Sequence, residues 1–106
     1  MNRQEFHDVL ASTGITVRYG QGEKGLRLPF MAYTFVRGSL LDADNKTYAT
    51  KNVATIELLT TSKQEQDELS GMLEEALTSN DIPFGLPDEG WDDANRFYQL
   101  TYNLEV

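Results

Sequence analysis

The stretch TYATKNVATIELLTT, residues 47–61, runs directly into Ser62-Lys63-Gln64-Glu65, and this junction constrains the fold more than any other part of the chain. Residues 47–61 are rich in β-branched and aromatic side chains, which favour a strand. Ser62 and Glu65 have the spacing of a helix capping box. After them, one apolar stripe follows at helical spacing, formed by Leu69, Met72, Leu73, Ala76 and Leu77. The junction therefore predicts a long strand followed at once by a capped helix.

The other face of this helix is expected to lie in solvent, because it carries Gln66, Asp67, Ser70, Glu74 and Ser79. Asn80 is a plausible C-cap, and Pro83 ends the element. At about 1.5 Å per residue the helix is roughly 25 Å long. That length is enough to cross a small sheet.

Two further regions follow helical and strand periods. A short helix near residues 2–13 is indicated by Phe6, Val9 and Leu10, and Gly14 suits the left-handed position after it. Strands are predicted at Ile15, Val17 and Tyr19, at FMAYTFVRG and in the closing RFYQLTYNLEV, where Phe97 is the one apolar residue on the polar side. The order predicts a single α+β domain over residues 1–106, a mostly antiparallel β-sheet with two α-helices packed on one face.

The segment Gly20-Gln21-Gly22-Glu23-Lys24-Gly25 spells G-x-G-x-x-G. A dinucleotide site needs a helix after the glycines, whose N-terminal amides hold the pyrophosphate. Here LRLPFMAYTF follows, and it indicates a strand. A kinase-type loop expects Val where Arg27 stands, and a P-loop needs Ser or Thr after Lys24. We therefore expect a strand-to-strand loop and no bound cofactor.

Asp42-Ala43-Asp44-Asn45 resembles the start of a calcium loop. The resemblance stops there, because Lys46, Thr47 and Val53 replace required ligand or glycine positions. Asp and Asn are also common turn residues. We expect a turn between strands here, and no metal site.

Catalytic patterns are sparse. His7 is the only histidine, there is no cysteine, and no serine lies in a G-x-S-x-G motif. Acidic residues flank Trp91, namely Asp88, Glu89, Asp92 and Asp93. Acid pairs beside an aromatic ring are typical of glycosidases, but such runs are more often solvated loops. On that second interpretation Trp91 packs the loop onto the sheet or lies in an interface. We expect no enzymatic activity.

Charge is unevenly distributed along the chain. The net charge is −8, with +2 in residues 1–37 and −10 in residues 38–106. An acidic surface repels nucleic-acid phosphate, which argues against a DNA-binding module. There is no apolar run long enough for a membrane span and no signal peptide, so an intracellular or particle-borne protein is expected.

Four basic residues cluster in sequence on this acidic chain: Arg18, Lys24, Arg27 and Arg37. They fit either a solvated loop or a contact arm that binds an acidic neighbour.

The ordered blocks LPFMAYTF, DADNKTY, ATIELLTTSKQEQDELSGMLEEAL and FYQLTYNLEV resemble a known family over roughly residues 28–106. The blocks resemble the tail terminators of long-tailed phages and prophages of Gram-positive bacteria. These are small tail-completion or head–tail joining proteins, often labelled minor capsid proteins. The strongest block is IELLTTSKQEQDE, which looks like the family's I-E-L-Y-T…K…E pattern. Leu59 stands where Tyr is common, while Lys63 and Glu68 match in kind.

This resemblance implies a structural protein of the virion tail, present in the host cytoplasm before assembly. Terminators form a ring, typically of six copies, at the head-proximal end of the tail tube, where they stop tube growth and join the tail to the head–tail connector. DNA passes through the ring without specific binding. From charge and glycine content we expect the 18–27 arm and the 40–46 turn, with Asp44 and Asn45, to contact neighbouring copies or the tail tube protein. Trp91 is a further interface candidate.

Two other classes stay open at this point. One is the head–tail connector or stopper ring of the same junction. The alternating final strand, which ends without an extension, favours the terminator over this class. The other is a small monomeric adaptor or binding module.

Overall fold

A computed structural model of the chain describes residues 1–20, 27–41 and 47–106, with side chains described for 1–20, 27–36 and 52–106. The elements follow the order helix, two strands, a long third strand, helix and two strands. Their bounds are α1 Arg3–Ala11, β1 Val17–Tyr19, β2 Phe30–Leu41, β3 Thr47–Thr60, α2 Lys63–Ser79, β4 Asp88–Asp92 and β5 Phe97–Glu105.

The five strands form one sheet in the order β1-β2-β3-β5-β4. Strands β2 and β3 make a hairpin whose register runs from Phe30 opposite Leu59 to Leu41 opposite Thr47. Strand β5 pairs antiparallel with both β3 and β4. Strand β1 pairs with β2 and is parallel to it. The predicted mostly antiparallel sheet is therefore confirmed, with one parallel pair at the β1 edge.

Both helices pack on the same face of the sheet. Phe6 and Leu10 of α1 and Leu73 and Leu77 of α2 are fully buried in the main core, which also contains Tyr102 of β5. Alternate residues of the three central strands fill the rest of this core: Met31, Tyr33, Ala54, Ile56, Leu58, Leu100 and Leu104. The predicted α+β class with two helices on one face is confirmed.

The helix caps explain where α2 begins and ends. The Ser62 side chain accepts a hydrogen bond from the Glu65 amide, as predicted, but the Glu65 carboxylate accepts from Thr61 rather than from the Ser62 amide. At the other end Asn80 is the C-cap. The amides of Asp81 and Ile82 then bond to the carbonyls of Thr78 and Leu77, which is the Schellman arrangement. Asp81 has a left-handed φ of 58° in this motif, a conformation that glycine adopts at lower cost.

One prediction about α2 is wrong. The sequence predicts Gln66 in solvent, but this residue is only 1% exposed. Its position lies three residues before Leu69 and seven before Leu73, on the apolar stripe itself. Its Oε1 atom accepts a hydrogen bond from Lys63 Nζ at 2.8 Å, so its burial leaves this acceptor satisfied. Met72, placed on the stripe by the sequence, is 43% exposed.

The second face of the sheet carries no described helix, yet it is not uniformly polar. Phe30, Ala32 and Leu59 are buried there, with Leu28 and Phe97 packed against them. This cluster accounts for Phe97, the apolar exception in the final strand. Further along the same face, Val36 and Val53 are register partners and are 62% and 45% exposed.

The hairpin of β2 and β3 extends beyond the rest of the sheet. Strand β1 pairs with β2 no further than Tyr33, and β5 pairs with β3 only from Val53 onward. The backbone of residues 38–41 and 47–51, which we call the ribbon, is thus paired only with itself among the described strands. The longest axis of the protein is 49 Å and its radius of gyration is 15.0 Å, against about 13 Å for a compact chain of this length. The ribbon gives the molecule an elongated form.

Within the described residues, neither helix has the length and apolar character needed to cross a membrane.

Candidate functional site

The interface residues predicted from the sequence lie in separate places. Arg18 is exposed in β1, and Arg27 is exposed in the segment that leads into β2. Arg37 is in β2 opposite Asn52, at the base of the ribbon, and its side chain is outside the described part. Trp91 lies in β4, at the opposite edge of the sheet.

Lys24, Asp44 and Asn45 lie outside the described residues, as do Gly22 and Gly25 of the glycine motif and the whole of the calcium-like turn. Gly20 is described, with a left-handed φ of 87°, and its amide bonds to the Tyr33 carbonyl. The first element after the motif is β2, so the described chain enters a strand there, as predicted.

At the edge formed by β1, basic and aromatic side chains lie on both faces of the sheet. Val17 packs towards the core, and Tyr19, on the same side of β1, forms an edge-on pair with Tyr33 at 5.2 Å between ring centres. The Arg3 guanidinium lies 4.9 Å from the centre of the Tyr19 ring, a cation–π contact. Arg18 points to the other side because side chains alternate along a strand. We call Arg3, Arg18 and Tyr19 the β1-edge surface.

A small open pocket of about 280 Å³ lies beside this surface, lined by Arg3, Gln4, His7, Tyr19 and Tyr33. His7 is half-buried, and its Nδ1 atom is 2.9 Å from the Tyr33 hydroxyl oxygen, so the histidine is engaged with the sheet. Burial raises the pKa of Tyr33, and the nearby Arg3 charge opposes that rise. The phenol therefore stays protonated at neutral pH and holds α1 to β2.

The opposite edge, at β4, is acidic. The sequence interpretation of residues 88–93 as a solvated loop is wrong, because Asp88–Asp92 form a strand paired with β5. The Trp91 and Tyr98 rings are in contact, tilted by 52° with 4.5 Å between their centres, and Trp91 remains 49% exposed. Its indole Nε1 donates to Asp93 at 3.4 Å. We call Asp88, Glu89, Trp91 and Asp93 the β4-edge surface; it lines an open pocket of about 430 Å³.

Besides Asp93, two more acids of this region have partners within the chain. Glu89 forms a salt bridge with Lys63 at 2.9 Å, and this hydrogen bond raises the pKa of Lys63. Asp92 accepts from the side chain and the amide of Asn95, which lowers its pKa. A general acid of the glycosidase type needs a raised carboxyl pKa. The pKa of Asp92 is shifted in the opposite direction, which does not suit this role.

One buried polar contact has no sequence signal. The Tyr102 hydroxyl donates to Glu74 Oε2 at 2.9 Å, and burial together with this bond raises the pKa of Tyr102 well above its ordinary value. The sequence predicts Glu74 on the solvent face of α2, but the residue is half-buried and its hydrogen bond connects the helix to β5. The alternating pattern shows that Tyr102 faces the core but not which helical side chain meets its hydroxyl.

In the part of the chain that the structure describes, no three histidine or acidic side chains are grouped so that they could hold a metal ion. In comparisons with known proteins, no family model matches the chain and no curated protein matches it.

Proposed function

We propose that this protein is a structural tail-completion protein of a long-tailed phage or prophage. In this proposal it assembles as a ring at the head-proximal end of the tail tube, ends tube polymerisation and joins the tail to the head–tail connector. The sequence blocks that resemble tail terminators supply the class. The ribbon is the structural observation that carries the proposal, because it supplies a contact element that the body of the protein does not cover.

A two-stranded ribbon leaves both of its faces and both of its outer edges without partners, and it is at most marginally stable in water by itself. Its two outer edges present backbone groups that another chain can pair with. Among the described strands, neither edge of residues 38–41 and 47–51 has a partner. A neighbouring copy or the tail tube protein can supply one.

The exposed area supports the same interpretation. The accessible surface is 6939 Å² for a chain of 12.0 kDa, whereas a compact monomer of that mass exposes about 6,000 Å². The excess is comparable to the area that one partner buries in a standard interface, roughly 800 Å². This excess accompanies the elongated form of the molecule, and an interface of ordinary size would fit on it.

Charge fits a passage for DNA. The net charge is −8, and like charges keep nucleic-acid phosphate from adhering to a ring wall. In this proposal DNA moves through the ring without specific binding, and the exposed residues Arg18 and Arg27 face protein neighbours.

Electron microscopy of particles from a phage or induced prophage that lacks this gene tests the proposal. A terminator's loss gives overlong, unattached tails beside filled heads. Free tails of normal length beside leaking heads would identify a head-side stopper or connector instead. Intact virions would refute a role at the junction and leave a monomeric adaptor.

A further inference from the structure

The two edges of the sheet carry opposite charge and one half-exposed aromatic residue each. At the β1 edge, Arg3 and Arg18 flank Tyr19, which is 51% exposed. At the β4 edge, Asp88 and Asp93 lie near Trp91, which is 49% exposed. Trp, Tyr and Arg are the residue types that most often dominate binding energy at protein interfaces.

We propose that the β1-edge surface of one copy binds the β4-edge surface of the next, so that the copies associate head to tail. This inference rests on the proposed ring and names the surfaces that close it. A contact between two different patches of the same chain generates a ring when the rotation closes. A contact between identical patches would stop at a dimer.

Strand direction is compatible with this contact. Strand β1 runs parallel to β2, β3 and β4 run opposite to them, and β5 runs with β2. The two edge strands therefore point in opposite directions. When neighbouring copies share the same strand direction, β4 of one copy meets β1 of the next in antiparallel orientation, which gives the more stable hydrogen-bond pattern.

Main-chain pairing at this contact is short, because β1 has three residues. Side chains must therefore supply most of the specificity. Glu5 and Asp8, the acids of α1, accept hydrogen bonds from Asn2 and Gln4. On the acidic side Lys63 neutralises Glu89, and Arg96 follows in the β4–β5 turn. Asp88 and Asp93 are thus the acids best placed to meet Arg3 and Arg18 of the neighbour.

A cysteine cross-linking experiment tests the contact, because the chain has no cysteine of its own. Thr16→Cys and Gly90→Cys, on separate chains, place reporters beside the two edges without changing any charge. Thr16 is exposed, and a Cβ at Gly90 meets no atom within 4 Å. The two chains are mixed at about 1 mM, the order of the effective concentration that linked binding modules reach. With oxidised glutathione as the oxidant, we expect a disulfide between positions 16 and 90.

Charge reversals then establish which residues direct the cross-link. Arg3→Glu with Arg18→Glu in the Thr16→Cys chain should lower its yield about tenfold or more, because like charges then face each other. Adding Asp88→Lys with Asp93→Lys to the Gly90→Cys chain should restore the yield. Glu68→Lys with Glu75→Lys, on the outer face of α2, is the matched control and should change it little.

Absence of the 16–90 cross-link between chains with unaltered edges would overturn the inference, and so would failure of the paired reversals to restore it. The readout needs no phage particle. A directed cross-link combined with intact virions after gene deletion would reject the tail function alone. Overlong tails without the cross-link would reject the edge contact alone.

Discussion

Removing the ribbon separates its contribution to folding from its contribution to assembly. The variant replaces the twelve residues 39–50 by Asn-Gly, so that Gly38 and Lys51, which are register partners, become the ends of a two-residue hairpin. Asn-Gly is the preferred sequence for such a turn. The variant keeps Asn52, whose side chain donates to the Met1 carbonyl and whose own carbonyl accepts from the Val106 amide. The base of the hairpin therefore stays attached to the body.

The expected effect on stability is small. The ribbon backbone pairs only with itself among the described strands, and an isolated two-stranded hairpin is at most marginally stable. Shortening the connection from twelve residues to two lowers the entropic cost of closing it by about 1.6 kcal/mol. These effects oppose each other, so the free energy of unfolding in urea should change by less than about 2 kcal/mol. The denaturant dependence scales with the surface exposed on unfolding, so it should fall only in proportion to the short length of chain removed.

The expected effect on assembly is large. In a phage that lacks the gene, the ribbon-deleted protein should fail to restore joined, normal-length tails, whereas the wild-type protein restores them. A loss of stability well beyond 2 kcal/mol would show that the ribbon is part of the folding core. A stable ribbon-deleted protein that completes tails normally would refute the assembly role given to the ribbon.

Three further predictions concern the body of the protein. Leu73→Ala should lower the free energy of unfolding in urea by about 2–5 kcal/mol, because Leu73 is fully buried where α2 meets the sheet; a loss under 1 kcal/mol would contradict that packing. Asp81→Gly should raise the melting temperature by relieving a left-handed φ, worth roughly 1 kcal/mol, and a lower value would count against the Schellman cap. Asn95→Ala should destabilise the protein near neutral pH, and its difference from wild type should shrink as the pH falls below the ordinary aspartate pKa of 3.8. The reason is that Asn95 bonds to ionised Asp92 and holds that pKa down; a difference that stays constant in acid would reject this linkage.

The elements with strong periodicity were predictable. Residues 47–61 have strand-forming side chains throughout, and the stripe ending at Leu73 and Leu77 has helical spacing, so local pattern and tertiary packing agree there. The alternation of β5 likewise predicts one apolar face, and Leu100, Tyr102 and Leu104 of that face lie in the core. These residues determine the helix-on-sheet architecture.

Strand β4 was not predictable from local pattern. Its sequence, DEGWD, contains three acids and a glycine, which are depleted in strands. It is held instead by pairing with β5 and by the tilted ring contact between Trp91 and Tyr98, contacts between residues that the sequence alone does not bring together. Its edge position also suits acids, because charged side chains protect a sheet edge from unwanted pairing.

The candidate site was predictable only in part. Arg18, Arg27 and Trp91 were identified as interface residues because basic and aromatic side chains stand out on an acidic chain. The role of Arg3 was missed, since its proximity to Tyr19 depends on how α1 packs beside β1. The division of charge between two opposite edges also depends on strand order, which periodicity does not reveal.

The position of the protein in the virion tests the central claim most directly. A small epitope tag after Val106 can be labelled with gold-conjugated antibody on purified, infectious particles and viewed by electron microscopy. We expect label at the head-proximal end of the tail, and at one end of free tails from a mutant without heads. Label on heads alone, along the whole tail, or on no particle would contradict the assignment of this protein to a ring that ends the tail tube.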